Sequence, residues 1–328
     1  MVSTTSFTAA SNYPLKVLLN KTIIDKIIDE KFIVPWHIQI NPTALCEQNC
    51  DWCSCINRNK KTELSLEEII SVFKTAKKLG GGGATTITGD GNPTLHPNIN
   101  EIIVVLKKLD VDVAIVHNGW SINKLDQEAL DCLTWMRISF GDGQLYKTSK
   151  YWSDLSKVVS NNKVSFSFSY VLTANPDLAL IQQMIEFANL HGFSHVRIVN
   201  NIFDAKDLAE TMVKTCKAIR GVVDDHLVIW QGRDQWVRGV ERCYCSLLRP
   251  VLGSDGFWYS CCGNQYMLAK PTRCYTLPMS GLRCSDGLLD IVKNQRWFNG
   301  KICEKCYYDS YNQLLEILLS GIEHTRFV

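Results

Sequence analysis

Short apolar runs rich in β-branched and aromatic residues alternate with longer amphipathic stretches through most of the chain. The short runs, at 36–41, 84–88, 111–117, 135–140, 164–172 and 195–199, predict strands. The stretches 65–79, 98–109, 124–133, 177–190 and 204–219 carry the helical period, the first opening on Ser65-Leu66-Glu67-Glu68 and closing on glycines 80–83. Six such units in series predict parallel strands joined by right-handed crossovers, an α/β class. The pattern alone leaves a full barrel, a partial barrel and an open sheet equally open. A polar tail and a helix at 21–31 precede the first strand. After about residue 222 the alternation stops. A strand at 227–233 follows, then a hairpin turning on Ser254-Asp255-Gly256 between 247–252 and 257–259, and a helix at 312–324. The expected division is a tail and helix at 1–35, an α/β core at 36–222 and an appendage at 223–328.

Composition narrows the classes. The chain has 328 residues, 46% hydrophobic and 21% charged, enough for a large α/β domain and an appendage. A net charge of +2 advertises neither nucleic acid nor an anionic membrane. No run approaches the length of a membrane span, and 1–13 lack an apolar signal region, so a cytoplasmic, reducing location is expected. There the 14 cysteines read as metal ligands rather than disulfides. Four lie between 46 and 55 and eight between 243 and 306, while Cys132 and Cys216 fall in helical patterns as small buried hydrophobes.

The densest chemistry is Cys46-Glu47-Gln48-Asn49-Cys50-Asp51-Trp52-Cys53, directly after the first strand. Three thiolates at C-x3-C-x2-C spacing can hold three corners of an iron–sulfur cluster and leave the fourth iron open for chemistry. Zinc with Cys55 as fourth ligand is the competing reading, although C-x-C beside C-x2-C is crowded. The motif, with Trp52 before its third cysteine, resembles the radical S-adenosylmethionine (SAM) superfamily. That resemblance implies a partial (β/α)6 TIM-like barrel. It also implies a [4Fe-4S] cluster on Cys46, Cys50 and Cys53 whose open iron binds SAM, and reductive cleavage to a 5′-deoxyadenosyl radical that abstracts hydrogen from a substrate. In the family a Gly-Gly-Glu-Pro segment after the second strand binds the SAM amino group. Gly89-Asp90-Gly91-Asn92-Pro93 stands there, with Asn92 in place of Glu, so the contact is expected to rest on backbone and Asp90. Asn118 of Asn118-Gly119, Ser139 or Asp142, and Arg197 are the further expected SAM contacts, with Asn200 and Asn201 near the adenine. Ser165, Ser167 and Ser169 line either the pocket or the surface.

In the appendage, Cys245-x10-Gly256-x4-Cys261 and Cys303-x2-Cys306 resemble the twitch form of the SPASM extension. The implied ligands of a probable auxiliary [4Fe-4S] cluster are Cys245, Cys261, Cys303 and Cys306. A zinc site is the alternative, and Cys243, Cys262, Cys274 and Cys284 are spare. The expected partners are an electron donor such as flavodoxin or ferredoxin and a peptide or small-molecule substrate. A nucleotide or modified nucleobase is the alternative substrate, and an iron–sulfur or zinc scaffold is the non-enzyme alternative.

Overall fold

The computed structural model describes residues 14–328 apart from 57, 142–143, 161–162, 202–208, 220–226, 232–236, 264–277, 304–305, 307, 322 and 324–328. In chain order the elements are α1 (Leu15–Leu18), α2 (Lys21–Glu30), β1 (His37–Ile40), α3 (Leu66–Lys78), β2 (Ala84–Ile87), α4 (Ile99–Lys108), β3 (Asp112–His117), α5 (Gln127–Cys132), β4 (Leu133–Phe140), α6 (Ser149–Ser160), β5 (Ser165–Leu172), α7 (Leu178–Leu190), β6 (His195–Asn200), α8 (Ala209–Ile219), β7 (Val228–Gln231), α9 (Cys245–Leu248), β8 (Val251–Leu252), β9 (Trp258–Tyr259), α10 (Cys284–Lys293) and α11 (Asp309–Ser320). Each strand expected from 36–41 to 227–233 forms, within a few residues of its expected ends among the described residues. The start of the helix expected at 204–219 and residues Asp142 and Cys274 lie outside the described residues. Two compact units result, one of Ile40–Leu66 and Thr85–Gln235, the other of Ser3–Gln39, Glu67–Ala84 and Trp236–Val328.

In the first unit the strands lie in the order β7-β6-β5-β4-β3-β2. The pairs from β3 to β7 are parallel, and Thr88 N–H donates to Ile40 C=O at 2.9 Å. The sheet is an open, partial barrel. Parallel sheets of this kind are covered on both faces, and β5 shows it. Phe166, Phe168 and Tyr170 alternate with Ser167 and Ser169, and all five are buried. The aromatic face packs under the helices: Phe168 lies 4.9 Å from Phe140 and 4.4 Å from Phe193, centroid to centroid, with Trp152 and Phe187 beside it. The serines occupy the opposite face, inside the curve of the sheet. The sequence reading lacked α6. Its buried Tyr151, Trp152, Leu155 and Val159 trace one helical face, but Tyr, Trp and Ser read locally as strand or loop.

In the second unit β8 and β9 pair antiparallel, Val251 with Tyr259 and Leu252 with Trp258. The turn needs Gly256 at φ +82°, a backbone state that favours glycine. The expected strand at 247–252 requires correction at its start. Residues 245–248 are helical, with Arg249 N–H bonded to Cys245 C=O at 2.9 Å, and Pro250 then prevents the helix from continuing. The reading also lacked α10, whose Leu288, Ile291 and Val292 are fully buried. Among the described residues no helix is long and apolar enough to cross a membrane.

Candidate active site

The cysteine loop leaves β1 at its C-terminal end, where parallel α/β folds place their sites. An antiparallel bridge between Thr43 and Glu63 closes its base. Ala44 N–H donates to Thr62 C=O at 3.0 Å and Leu64 N–H to Pro42 C=O at 2.9 Å. Inside, Cys53 N–H donates to Cys50 C=O at 3.0 Å, so the last two cysteines flank one tight turn. Arg58 ties the loop across its middle: Nε donates to Ala44 C=O and Nη1 to Cys55 C=O, both at 2.8 Å. Trp52 packs on Gly141, just beyond β4, where a Cβ would fall 2.1 Å from the indole. Neither Arg58 nor Gly141 stood out in the sequence. Their contacts join residues whose neighbours carry no motif.

Cys46, Cys50 and Cys53 are half-buried and unbridged. Burial, then the neighbouring Cys53 and Cys46, pushes the Cys50 thiol up to about 12. Cys53 is lowered to about 6, chiefly by a hydrogen bond from the Cys55 side chain, which is itself buried. Among the described residues no group of three or more His, Cys, Asp or Glu side chains is drawn in closely enough for a single metal ion. Three unbridged thiols on one loop are a donor set that suits three corners of an iron–sulfur cube.

The turn after β2 is pressed against this loop. A Cβ at Gly91 would fall 1.9 Å from Leu45 C=O, and Asn92 N–H donates to that carbonyl at 2.7 Å. Gly89 adopts φ +101°, and a Cβ there would overlap the amide of Asn41. That amide donates to Asp90 Oδ1 at 2.9 Å. Asn92 Nδ2 donates to Glu47 Oε1 at 2.8 Å and to Asn118 Oδ1 at 3.0 Å. Ser121 Oγ reaches the same Glu47 oxygen at 3.2 Å. Thus Gly89, Asp90, Gly91, Asn92, Pro93 and Asn118 come together with the cysteine loop, through Glu47 and Ser121, which the sequence reading had not singled out. Gln48 Nε2, Asn92 Oδ1 and Asn118 Nδ2 are buried around this network without a hydrogen-bond partner among the described residues.

The other expected contacts are more dispersed. Ser139, half-buried on β4, accepts from Tyr146 through its carbonyl at 3.3 Å. Arg197 on β6 donates through Nε and Nη2 to Ser169 Oγ and through Nη1 to Gln231. Asn200, 1% exposed at the end of β6, has neither amide atom bonded among the described residues. In the second unit the Cys245 N–H donates to Asn312 Oδ1 at 2.8 Å. Burial pushes the Cys245 thiol well up, and nearby Cys243, Cys261 and Cys306 add to the push. Cys303 is raised to about 12 by burial and by Cys243 and Cys306. Cys243, spare in the sequence reading, shares Asn312 with Cys245: the Asn312 Nδ2 donates to the Cys243 sulfur at 3.8 Å.

Residues 40–134 match the model of the Radical SAM superfamily. This segment is a radical SAM domain. It begins at the last residue of β1 and contains the cysteine loop, the turn after β2 and Asn118. Likeness of fold extends well beyond it. Streptococcus suis SuiB bound to S-adenosylmethionine superposes with a TM-score of 0.57 at 14% identity, over 85% of this chain and 70% of that one. SuiB bound to precursor peptide SuiA gives 0.54 at 13% identity, over 92% and 78%. No curated protein matches the chain in sequence. The segment 40–134 thus matches a superfamily whose members use a [4Fe-4S] cluster and SAM, and the chain shares its fold with SuiB.

Proposed function

We propose that the protein holds a [4Fe-4S] cluster on Cys46, Cys50 and Cys53 and uses it to cleave SAM, abstracting a hydrogen atom from a peptide or small-molecule substrate. When bound, the cluster supplies the electron for that cleavage, replenished by a flavodoxin- or ferredoxin-type donor. The chain's own part is positioning and exclusion of water. Arg58 and the Thr43–Glu63 bridge hold the three thiols on one closed loop. The Gly89–Pro93 turn brings backbone and the Asn92 amide to the loop's edge. Asn118 and Ser139 present polar groups from the ends of β3 and β4, and Arg197 one from within β6. Tail cysteines Cys245, Cys261, Cys303 and Cys306 hold an auxiliary cluster that exchanges an electron with the substrate radical. The fold it shares with SuiB, a protein solved with its precursor peptide, favours a peptide over a sugar or nucleotide.

The observation that carries this reading is three unbridged, half-buried thiols on one loop, pressed against a glycine turn at the C-terminal ends of neighbouring strands. Protein reconstituted anaerobically with iron and sulfide, reduced with dithionite and given SAM is expected to release 5′-deoxyadenosine. Cys50→Ala is expected to release none. Wild-type protein that leaves SAM intact overturns the proposal.

A further inference from the structure

Gln48 stands between the first two cysteines of the loop and is 8% exposed. Its amide oxygen Oε1 accepts from the Cys50 thiol at 3.3 Å and from Tyr146 Oη at 3.1 Å. The amide nitrogen is buried and has no partner among the described residues. Tyr146 is set firmly behind it. Its ring lies 4.5 Å from Phe140 and edge-on to Tyr151 at 5.4 Å, and its carbonyl accepts the Trp152 indole N–H at 2.8 Å. The hydroxyl also lies 3.3 Å from Ser139 C=O. A hydroxyl has one hydrogen, so it donates to Gln48 or to Ser139, not to both.

This arrangement suits a protonated Cys50. Ligation to iron displaces the thiol proton, and the sulfur then only accepts. Oε1 would face it acceptor to acceptor. Turning the Gln48 amide over removes the conflict. One Nε2 hydrogen then meets the Cys50 sulfur, the second meets Tyr146 Oη, and the hydroxyl hydrogen goes to Ser139 C=O. Every hydrogen of the three side chains is used. The turn adds no orphan, because an unpartnered oxygen takes the place of an unpartnered nitrogen.

We infer that in the cluster-loaded protein Gln48 donates an N–H to the sulfur of Cys50, held in that orientation by Tyr146, and so raises the reduction potential of the loop cluster. A hydrogen bond to a ligand sulfur stabilises the electron-richer reduced cluster more than the oxidised one. This rests on the reading that Cys46, Cys50 and Cys53 hold the cluster. Gln48 is a positioning residue, acting through Cys50.

The test is a potentiometric titration of the reconstituted protein without SAM, followed by electron paramagnetic resonance on the signal that Cys53→Ala lacks. Gln48→Met keeps the length of the side chain and removes both donors. At a given applied potential its ratio of reduced to oxidised cluster is expected to be about tenfold below wild type, a midpoint about 59 mV more negative. A midpoint equal to wild type, or less negative, overturns the assignment. Should Gln48→Met load no iron, Tyr146→Phe decides in its place. It lies outside the cysteine loop, takes away the hydroxyl that anchors the amide, and is expected to shift the midpoint in the same direction by a smaller factor; an unmoved midpoint there overturns the assignment equally. Wild-type protein with no reducible signal at this site overturns the cluster reading itself, and the assignment with it.

Discussion

Single side chains decide how well the cysteine loop is held. Arg58 places a charged donor on two carbonyls of the loop, at 2.8 Å each. Such bonds contribute about 1.5–3 kcal/mol apiece. Arg58→Ala is therefore expected to lose iron to a chelator at least about tenfold faster than wild type, with far-UV circular dichroism unchanged. Equal loss rates would remove Arg58 from the account. His117 tests the interior in a different way. Burial lowers its pKa to about 4, and its Nδ1 accepts Gly119 N–H at 3.1 Å, which requires the neutral ring. Above pH 6.5 folded and unfolded chains are both neutral at this site. Below it the unfolded chain takes a proton that the folded chain refuses, so stability falls as pH drops from about 6.5 to 4. The slope from this residue approaches 1.4 kcal/mol per pH unit. Urea titrations of the metal-free protein at pH 5, 6 and 7 are expected to show that slope, reduced by one proton in His117→Gln. Parallel slopes for the two proteins would contradict it.

Among elements, the strands were legible because each is a short apolar run closed by polar or glycine residues. β5 was the clearest, its Phe-Ser alternation setting helix-facing rings apart from inward serines. α6 was not legible, although it carries much of the first unit's aromatic core. Trp152 lies 5.6 Å from Phe140 and 5.0 Å from Phe187, and its indole N–H donates to Tyr146 C=O at 2.8 Å. Trp152→Ala is expected to cost about 3–5 kcal/mol in urea denaturation, as for other buried aromatic truncations. A loss under about 1 kcal/mol would mean that α6 does not seal this core. The contact between the cysteine loop and the β2 turn was half legible. Its glycines were plain, but what they approach was not, because Gly91 meets the Leu45 carbonyl across 46 positions of chain. A Cβ there meets backbone, which cannot swing aside. Gly91→Ala is expected to destabilise the protein by about 1–3 kcal/mol and to abolish SAM binding in dialysis. Wild-type affinity in that variant would show that the turn does not shape the site.

Across the whole molecule, the cysteine loop was the part of the site most open to sequence reading, since its spacing alone carries the chemistry. Glu47, Ser121 and Arg58 escaped because their roles depend on which loops the strands bring together, and periodicity does not encode that. The tail shows the same division. Its hairpin was readable from Ser254-Asp255-Gly256, while the approach of Cys243 to Cys303 and Cys306 was not. Metal analysis of the reconstituted protein is expected to give about eight irons per chain, four for each of two [4Fe-4S] clusters. About four irons with one zinc would reassign the tail to a structural site. The most direct measurement is electron paramagnetic resonance of the dithionite-reduced, reconstituted protein, recorded with and without SAM and repeated with Cys53→Ala. The three-thiol loop predicts a reduced [4Fe-4S] signal that shifts when SAM is added and is absent from the variant's loop site. A wild-type spectrum with no such signal, or one indifferent to SAM, would contradict an open iron at Cys46, Cys50 and Cys53.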